Sequence, residues 1–152
     1  AVAQGAGSMG MVSGQVRDMQ ATGQEVSAET LQKIHAEKTG ALILAACLAG
    51  AYMAGAKAQD IESITGYAKA LGLAFQIADD ILDVTSSQEV LGKPVLSDEK
   101  NNKTTYVTLE GIEKSKHDVK QLSETAVDIL YSLPGKNEFL EELIEMLVSR
   151  EK

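Results

Sequence analysis

Apolar residues recur along this chain at intervals of three and four, the spacing of helical stripes, and no strict apolar–polar alternation longer than four positions stands out. The pattern predicts helices throughout. A first stretch over about residues 1–19, rich in Gly, Ala and Met, ends in the polar cluster Gln15, Arg17, Asp18 and Gln20. Ser27, with Glu29 in the following turn, suits the N-cap of a long helix that reaches about residue 54 and bends at Gly40. A third helix covers roughly 59–84. Residues 85–102, punctuated by Ser86, Gly92, Pro94 and Asn101, read as a loop in which Pro94 holds Lys93 on extended chain. Helical pattern resumes over 103–110 and 111–132, turns at Pro134-Gly135 and runs again over 136–150. The predicted fold class is all-α, an antiparallel helical bundle.

Composition supports that reading. The 152 residues make one domain's worth of core, and a 4% aromatic content beside abundant Ala, Leu, Glu and Lys favours helix over sheet. The apolar run Ala41 to Ala56 is 16 residues, short of the ~20 that span a bilayer, so a buried core helix is expected and no transmembrane segment. A net charge of −8 argues against a general nucleic-acid or anionic-membrane surface. It leaves room for an anionic substrate wherever a metal reverses the local sign. Cys47 is the only cysteine, so no internal disulfide forms, and with no signal peptide visible the expected location is cytoplasmic. The chain opens on Ala1 inside helix-compatible sequence, which reads as a fragment or processed product.

The third helix carries the most informative stripe. Gln76, Asp79, Asp80 and Asp83 fall at offsets 0, 3, 4 and 7, one helical face, while Phe75, Ile77, Ala78, Ile81, Leu82 and Val84 supply core on the other. Stacked carboxylates repel by some tenths of a kcal/mol per neighbouring pair. They also sit in an apolar segment, where unpaired charge is costly. A hard cation relieves both costs, because carboxylate oxygens are the ligands Mg²⁺ prefers. The alternative is a solvated acidic face, which the flanking Ile and Leu disfavour.

Several segments together resemble the trans-isoprenyl diphosphate synthases, the farnesyl and geranylgeranyl diphosphate synthase family. Asp79-Asp80-Ile81-Leu82-Asp83, preceded by Phe75-Gln76, resembles the second of that family's two aspartate-rich motifs. Gly10 to Gln15 followed by Asp18 resembles its Gly-Gln segment, with Ser13 where glycine is usual. His35 to Gly40 resembles its Lys-Thr segment. Leu91-Gly92-Lys93 through Asp98, then Lys103-Thr104-Thr105-Tyr106, resembles the loop after the second motif, with Leu96 where glycine and Val107 where proline are common. The likeness covers nearly the whole chain but only the C-terminal half of a synthase. It implies that residues 1–152 lack the N-terminal helices, the first aspartate-rich motif and the arginine that follows it.

The resemblance implies a Mg²⁺-dependent prenyltransferase that condenses isopentenyl diphosphate with an allylic diphosphate, in a homodimer or joined to the missing half. Asp79, with Asp80 and Asp83 directly or through water, would hold one Mg²⁺. Lys38 and Lys93 would contact the allylic diphosphate, and Thr39 and Gln76 would lie near the developing cation. Lys103 either binds diphosphate, caps a helix or faces solvent. Thr39 could instead bond back to its own helix. Gln15 and Asp18 either hydrogen-bond across the site or end the first helix. His35, His117 and Cys47 have no zinc-ligand spacing, so the histidines are expected to be ordinary helix residues and Cys47 to pack in the core.

Overall fold

The computed structural model describes residues 1–85, 103–135 and 138–148. Its helices are α1 (Val2–Ala6), α2 (Met11–Ala21), α3 (Ala28–His35), a π-helical turn (Ala36–Gly40), α4 (Ala41–Met53), α5 (Ala58–Thr85), α6 (Tyr106–Glu110), α7 (Ile112–Ser132) and α8 (Glu138–Val148). Among the described residues there is no strand. The all-α expectation holds. The predicted first helix is instead two, parted at Gly7–Gly10.

Local chemistry sets the boundaries. The Ser27 hydroxyl accepts the Thr30 N–H at 3.2 Å and caps α3, as its position predicts. Thr105 caps α6 with a reciprocal box: its hydroxyl takes the Thr108 N–H while the Thr108 hydroxyl takes the Thr105 N–H. The helix therefore starts at Tyr106 rather than at Lys103. Gly111, at φ 81°, turns the chain from α6 into α7.

α5 is the axis of the fold. Ile64, Tyr67, Ala68 and Leu71 meet Ala126 and Leu130 of α7 and Ile144 of α8 in the main core. Ile77, Ala78 and Val119 form a second cluster nearer the acidic stripe. Burial of each large aliphatic side chain contributes about 1.5–3 kcal/mol, so this α5–α7 seam holds α5 in place. The Tyr67 hydroxyl, inside the core, donates to the Leu140 carbonyl at 3.2 Å and ties α5 to α8.

The apolar segment after Gly40 departs from expectation. Of α4 only Ala45 is fully buried; Ile43, Leu44, Cys47, Leu48 and Ala51 pack half-buried on the core, and Leu42, Tyr52 and Met53 are exposed. A helix apolar on all sides has no single face to turn inward, and the remaining helices cover only one side of it. Taken with α3, the 26 residues Ala28–Met53 are long and apolar enough to cross a membrane, and 17% of that apolar window is buried within this chain.

Candidate active site: a charged pocket around a π-helical turn

The continuous helix predicted through Gly40 contains a π-helical turn at Ala36–Gly40, where Lys38 and Thr39 lie. A π turn inserts one residue into the α register and shifts the hydrogen-bond ladder, which re-aims side chains. Two glycines hold it. A Cβ on Gly14 of α2 would run into the backbone of Lys38 and Glu37, and one on Gly72 of α5 would come within 3.1 Å of the Gly40 Cα. Only bare backbone lets α2 and α5 close on the turn from two sides.

Charged side chains meet beside it. Lys38 donates to the Asp18 carboxylate at 2.7 Å, and Lys103, in the segment leading to α6, donates to both Asp18 oxygens at 3.1 and 3.0 Å. Both ammoniums thus stand on one oxygen, no more than about 6 Å apart, where two unit charges at an effective dielectric near 20 repel by about 3 kcal/mol or more. Asp18 offsets that repulsion. Burial pushes its carboxyl up, but the hydrogen bonds and charges of the two lysines outweigh burial and hold it below the ordinary 3.8.

On the facing side, the Thr39 hydroxyl donates to the Gln76 side-chain oxygen at 2.9 Å, joining the turn to α5. Asp80, 5% exposed, accepts the Tyr106 N–H at 2.8 Å and fixes the start of α6. Together Asp18, His35, Lys38, Gln76, Asp79, Asp80 and Lys103 line a pocket of about 110 Å³. That is room for three or so waters at about 30 Å³ each, or for a phosphate-sized group, and not for a prenyl chain. Two larger grooves, of about 780 and 760 Å³, are mostly apolar and lie along α7 and α8 and beside α4. Neither contains this charge cluster.

Of the residues singled out in the sequence, Asp18, Lys38, Gln76, Asp79, Asp80 and Lys103 line the pocket, and Thr39 joins them through its bond to Gln76. Asp83 is buried at 3% exposure but does not line the pocket. Gln15 is exposed on α2. Lys93 and Asp98 lie outside the described residues. Along the acidic stripe Asp80 and Asp83 are buried, Gln76 and Asp79 half-buried.

Whether these residues suit a hard cation turns on their donors. Among the described residues no three His, Cys, Asp or Glu side chains converge on one ion. Asp79 and Asp80 nevertheless both bring a carboxylate to the pocket wall. Mg²⁺ commonly takes one or two carboxylates and completes its shell with waters and substrate phosphates. The donor set fits an ion shared with a phosphate ligand.

His35 is the residue that sequence reasoning missed. It is not the ordinary helix residue expected: it is 6% exposed at the pocket wall, and among the described residues its buried Nδ1 has no hydrogen-bond partner. Its place three residues before Lys38, one helical step away, was the available signal. Burial pushes the imidazole down, the Asp18 charge pulls it up and the Lys38 charge pushes it down again, leaving it at about 4. Its folded value lies below the ordinary 6.5. The unfolded chain therefore takes the proton first, so this contribution to stability is full above about pH 6.5 and is lost toward pH 4, by about 3 kcal/mol. Thermal melts between pH 7.5 and 4.5 should show a steep acid limb that flattens in His35→Asn; equal slopes in the two proteins would refute this role.

Residues 6–144 match the polyprenyl synthetase family, and the chain belongs to it. It is 39% identical over 146 residues to a farnesyl diphosphate synthase of Bacillus subtilis, covering 96% of this chain and 49% of that one. It is 41% identical over 142 residues to a geranylgeranyl diphosphate synthase of Cyanophora paradoxa, covering 93% and 47%. The solved FPP/GFPP synthase of Zymomonas mobilis superposes with a TM-score of 0.80 at 30% identity, over 96% of this chain and 48% of that one. A geranyltransferase of Helicobacter pylori, solved with magnesium and isoprenyl diphosphate, superposes at 0.78 with 28% identity over 96% and 48%. The chain spans about half the length of the relatives it matches.

Proposed function

We propose that the whole protein is a trans-prenyltransferase that joins isopentenyl diphosphate to an allylic diphosphate, dimethylallyl or geranyl, giving farnesyl or a similar short-chain diphosphate. The observation that carries this reading is the meeting of Lys38, Lys103, Gln76, Asp79 and Asp80 at one phosphate-sized pocket, in a chain about 40% identical to synthases of that class.

The reaction begins when the allylic carbon–oxygen bond breaks, leaving a carbocation and a highly charged pyrophosphate. Lys38 and Lys103 would bind the diphosphate and stabilise charge as it leaves, with Lys93, outside the described residues, as a further cation. Asp79 and Asp80, with Asp83 behind them, would hold Mg²⁺, which neutralises and orients the leaving group. The Thr39–Gln76 pair and the carbonyls of the π turn would offer oxygen dipoles to the developing cation. Condensation with isopentenyl diphosphate is followed by proton loss, for which the released pyrophosphate is the base, so no catalytic His or Ser is required.

On this reading the 152 residues provide one side of the diphosphate clamp, and the other metals belong to an aspartate-rich motif outside them. A second reading, a non-catalytic subunit or diphosphate-binding module completed by another chain, is favoured by the exposed Val12, Val16, Leu42, Tyr52 and Met53. A homodimer, or association with an N-terminal half, would cover those faces. A cytoplasmic location belongs to the same proposal.

The test is a prenyl-transfer assay with labelled isopentenyl diphosphate, geranyl diphosphate and Mg²⁺. The chain alone should give little or no product. Mixed with the N-terminal half of a related synthase it should give a longer prenyl diphosphate. Product from the chain alone would contradict the half-site reading, and a mixture that binds both substrates without turnover would favour the non-catalytic subunit.

A further inference from the structure

We propose that Asp18 is the positioning residue of the diphosphate grip, its carboxylate joining the Lys38 and Lys103 ammoniums into a single anion-binding pair. This rests on the prenyltransferase reading above. The two lysines come from distant parts of the chain, one in the π turn and one ahead of α6; the Thr39–Gln76 and Asp80–Tyr106 bonds anchor their backbones, but on long flexible stems those bonds do not fix the separation of the two ammoniums. Asp18 does so, at 2.7 Å from one and 3.0–3.1 Å from the other. Its own place is fixed by Gly14, one turn earlier on the same face of α2, whose bare backbone lies against that of Lys38. One helix face thus grips both ends of Lys38: the backbone through Gly14, the ammonium through Asp18.

The pairing leaves binding capacity over. Each ammonium has three N–H donors and Asp18 engages only part of them, so a diphosphate can take the rest without displacing the carboxylate. Removing the charge of Asp18 has two opposed effects. It makes the pocket more positive, which by itself favours an anion. It also leaves two like charges within about 6 Å on flexible four-carbon stems. With the two lysine side chains 35% and 26% exposed, both have room to swing apart, and their freedom must then be frozen again at each binding event. The second effect is the larger, because it acts on both cations and on the geometry that makes them fit a diphosphate.

The test is calorimetric titration of the purified chain with inorganic pyrophosphate in the presence of Mg²⁺. Asp18→Asn, which keeps the shape of the side chain, should weaken binding by about tenfold or more. In a Lys103→Met background the same change should weaken it by less than about threefold, because the pair it served is already broken. Asp18→Glu keeps the charge but moves it by one methylene and should lose roughly three- to fivefold. That variant decides the matter if Asp18→Asn does not fold. Unchanged or tighter binding in Asp18→Asn or Asp18→Glu would overturn the proposal, including the case in which only the melting temperature falls. A wild-type chain that binds no pyrophosphate overturns both this proposal and the prenyltransferase reading, whereas wild-type binding with an indifferent Asp18→Asn overturns this one alone.

Discussion

Gly14→Ala is expected to lower stability by about 3 kcal/mol, a fall in melting temperature of about 6–12 °C for a chain of this size. The usual gain from replacing glycine inside a helix, about 1 kcal/mol, is outweighed here. What the new methyl would strike is backbone: the nitrogen and Cα of Lys38 and the carbonyl carbon of Glu37. A flexible side-chain end could move aside, but a helical turn cannot move alone. α2 must lift off the π turn, and the Asp18–Lys38 contact one turn on opens with it. Pyrophosphate affinity should therefore fall together with stability. Gly50 in α4 is the control, because a Cβ there meets nothing within 4 Å. Gly50→Ala should be neutral or slightly stabilising in thermal melts. If both alanines behave alike, the close approach at Gly14 is not what holds the turn.

Asp79→Ala is expected to reduce Mg²⁺-dependent pyrophosphate binding more than about a hundredfold while shifting the melting temperature by no more than about 2 °C. Asp79 is half-buried at the pocket wall, whereas its neighbour Asp80 is buried and accepts the Tyr106 N–H at 2.8 Å. The two carboxylates should therefore separate in experiment. Asp80→Ala strips the part-buried Tyr106 N–H of its partner, at a cost of about 1–3 kcal/mol, and so should fail in stability as well as in binding. Calorimetry and thermal melts on the two variants check this. Equal loss of stability in both would mean that Asp79, like Asp80, is chiefly a structural residue.

How far the sequence disclosed this arrangement varied with the kind of interaction. Most helix positions and the Ser27 cap depend on local chemistry, and they were legible from spacing and capping residues alone; at Gly40 the sequence suggested a bend but not the π-helical turn. Lys38, Thr39, Gln76, Asp79 and Asp80 could be named from motif resemblance, and the fold does bring them together. The role of Asp18 could not be read in the same way, because its partner Lys103 stands 85 residues away in the chain and meets it only in the fold. The inward turn of Asp80 was hidden for a similar reason: its partner is a backbone N–H that no side-chain pattern reveals. α4 shows the opposite limit. Hydropathy marked it as core, but hydropathy counts apolar residues without saying whether a neighbour exists to cover them.

The measurement that bears most directly on this half-site is titration of the purified wild-type chain with inorganic pyrophosphate, with and without Mg²⁺. Saturable binding that requires Mg²⁺, and that is lost in Asp79→Ala and weakened in Lys38→Met, is the expected result. Absence of binding, or binding indifferent to Mg²⁺ and to Asp79, would contradict the assignment of this pocket as a diphosphate clamp.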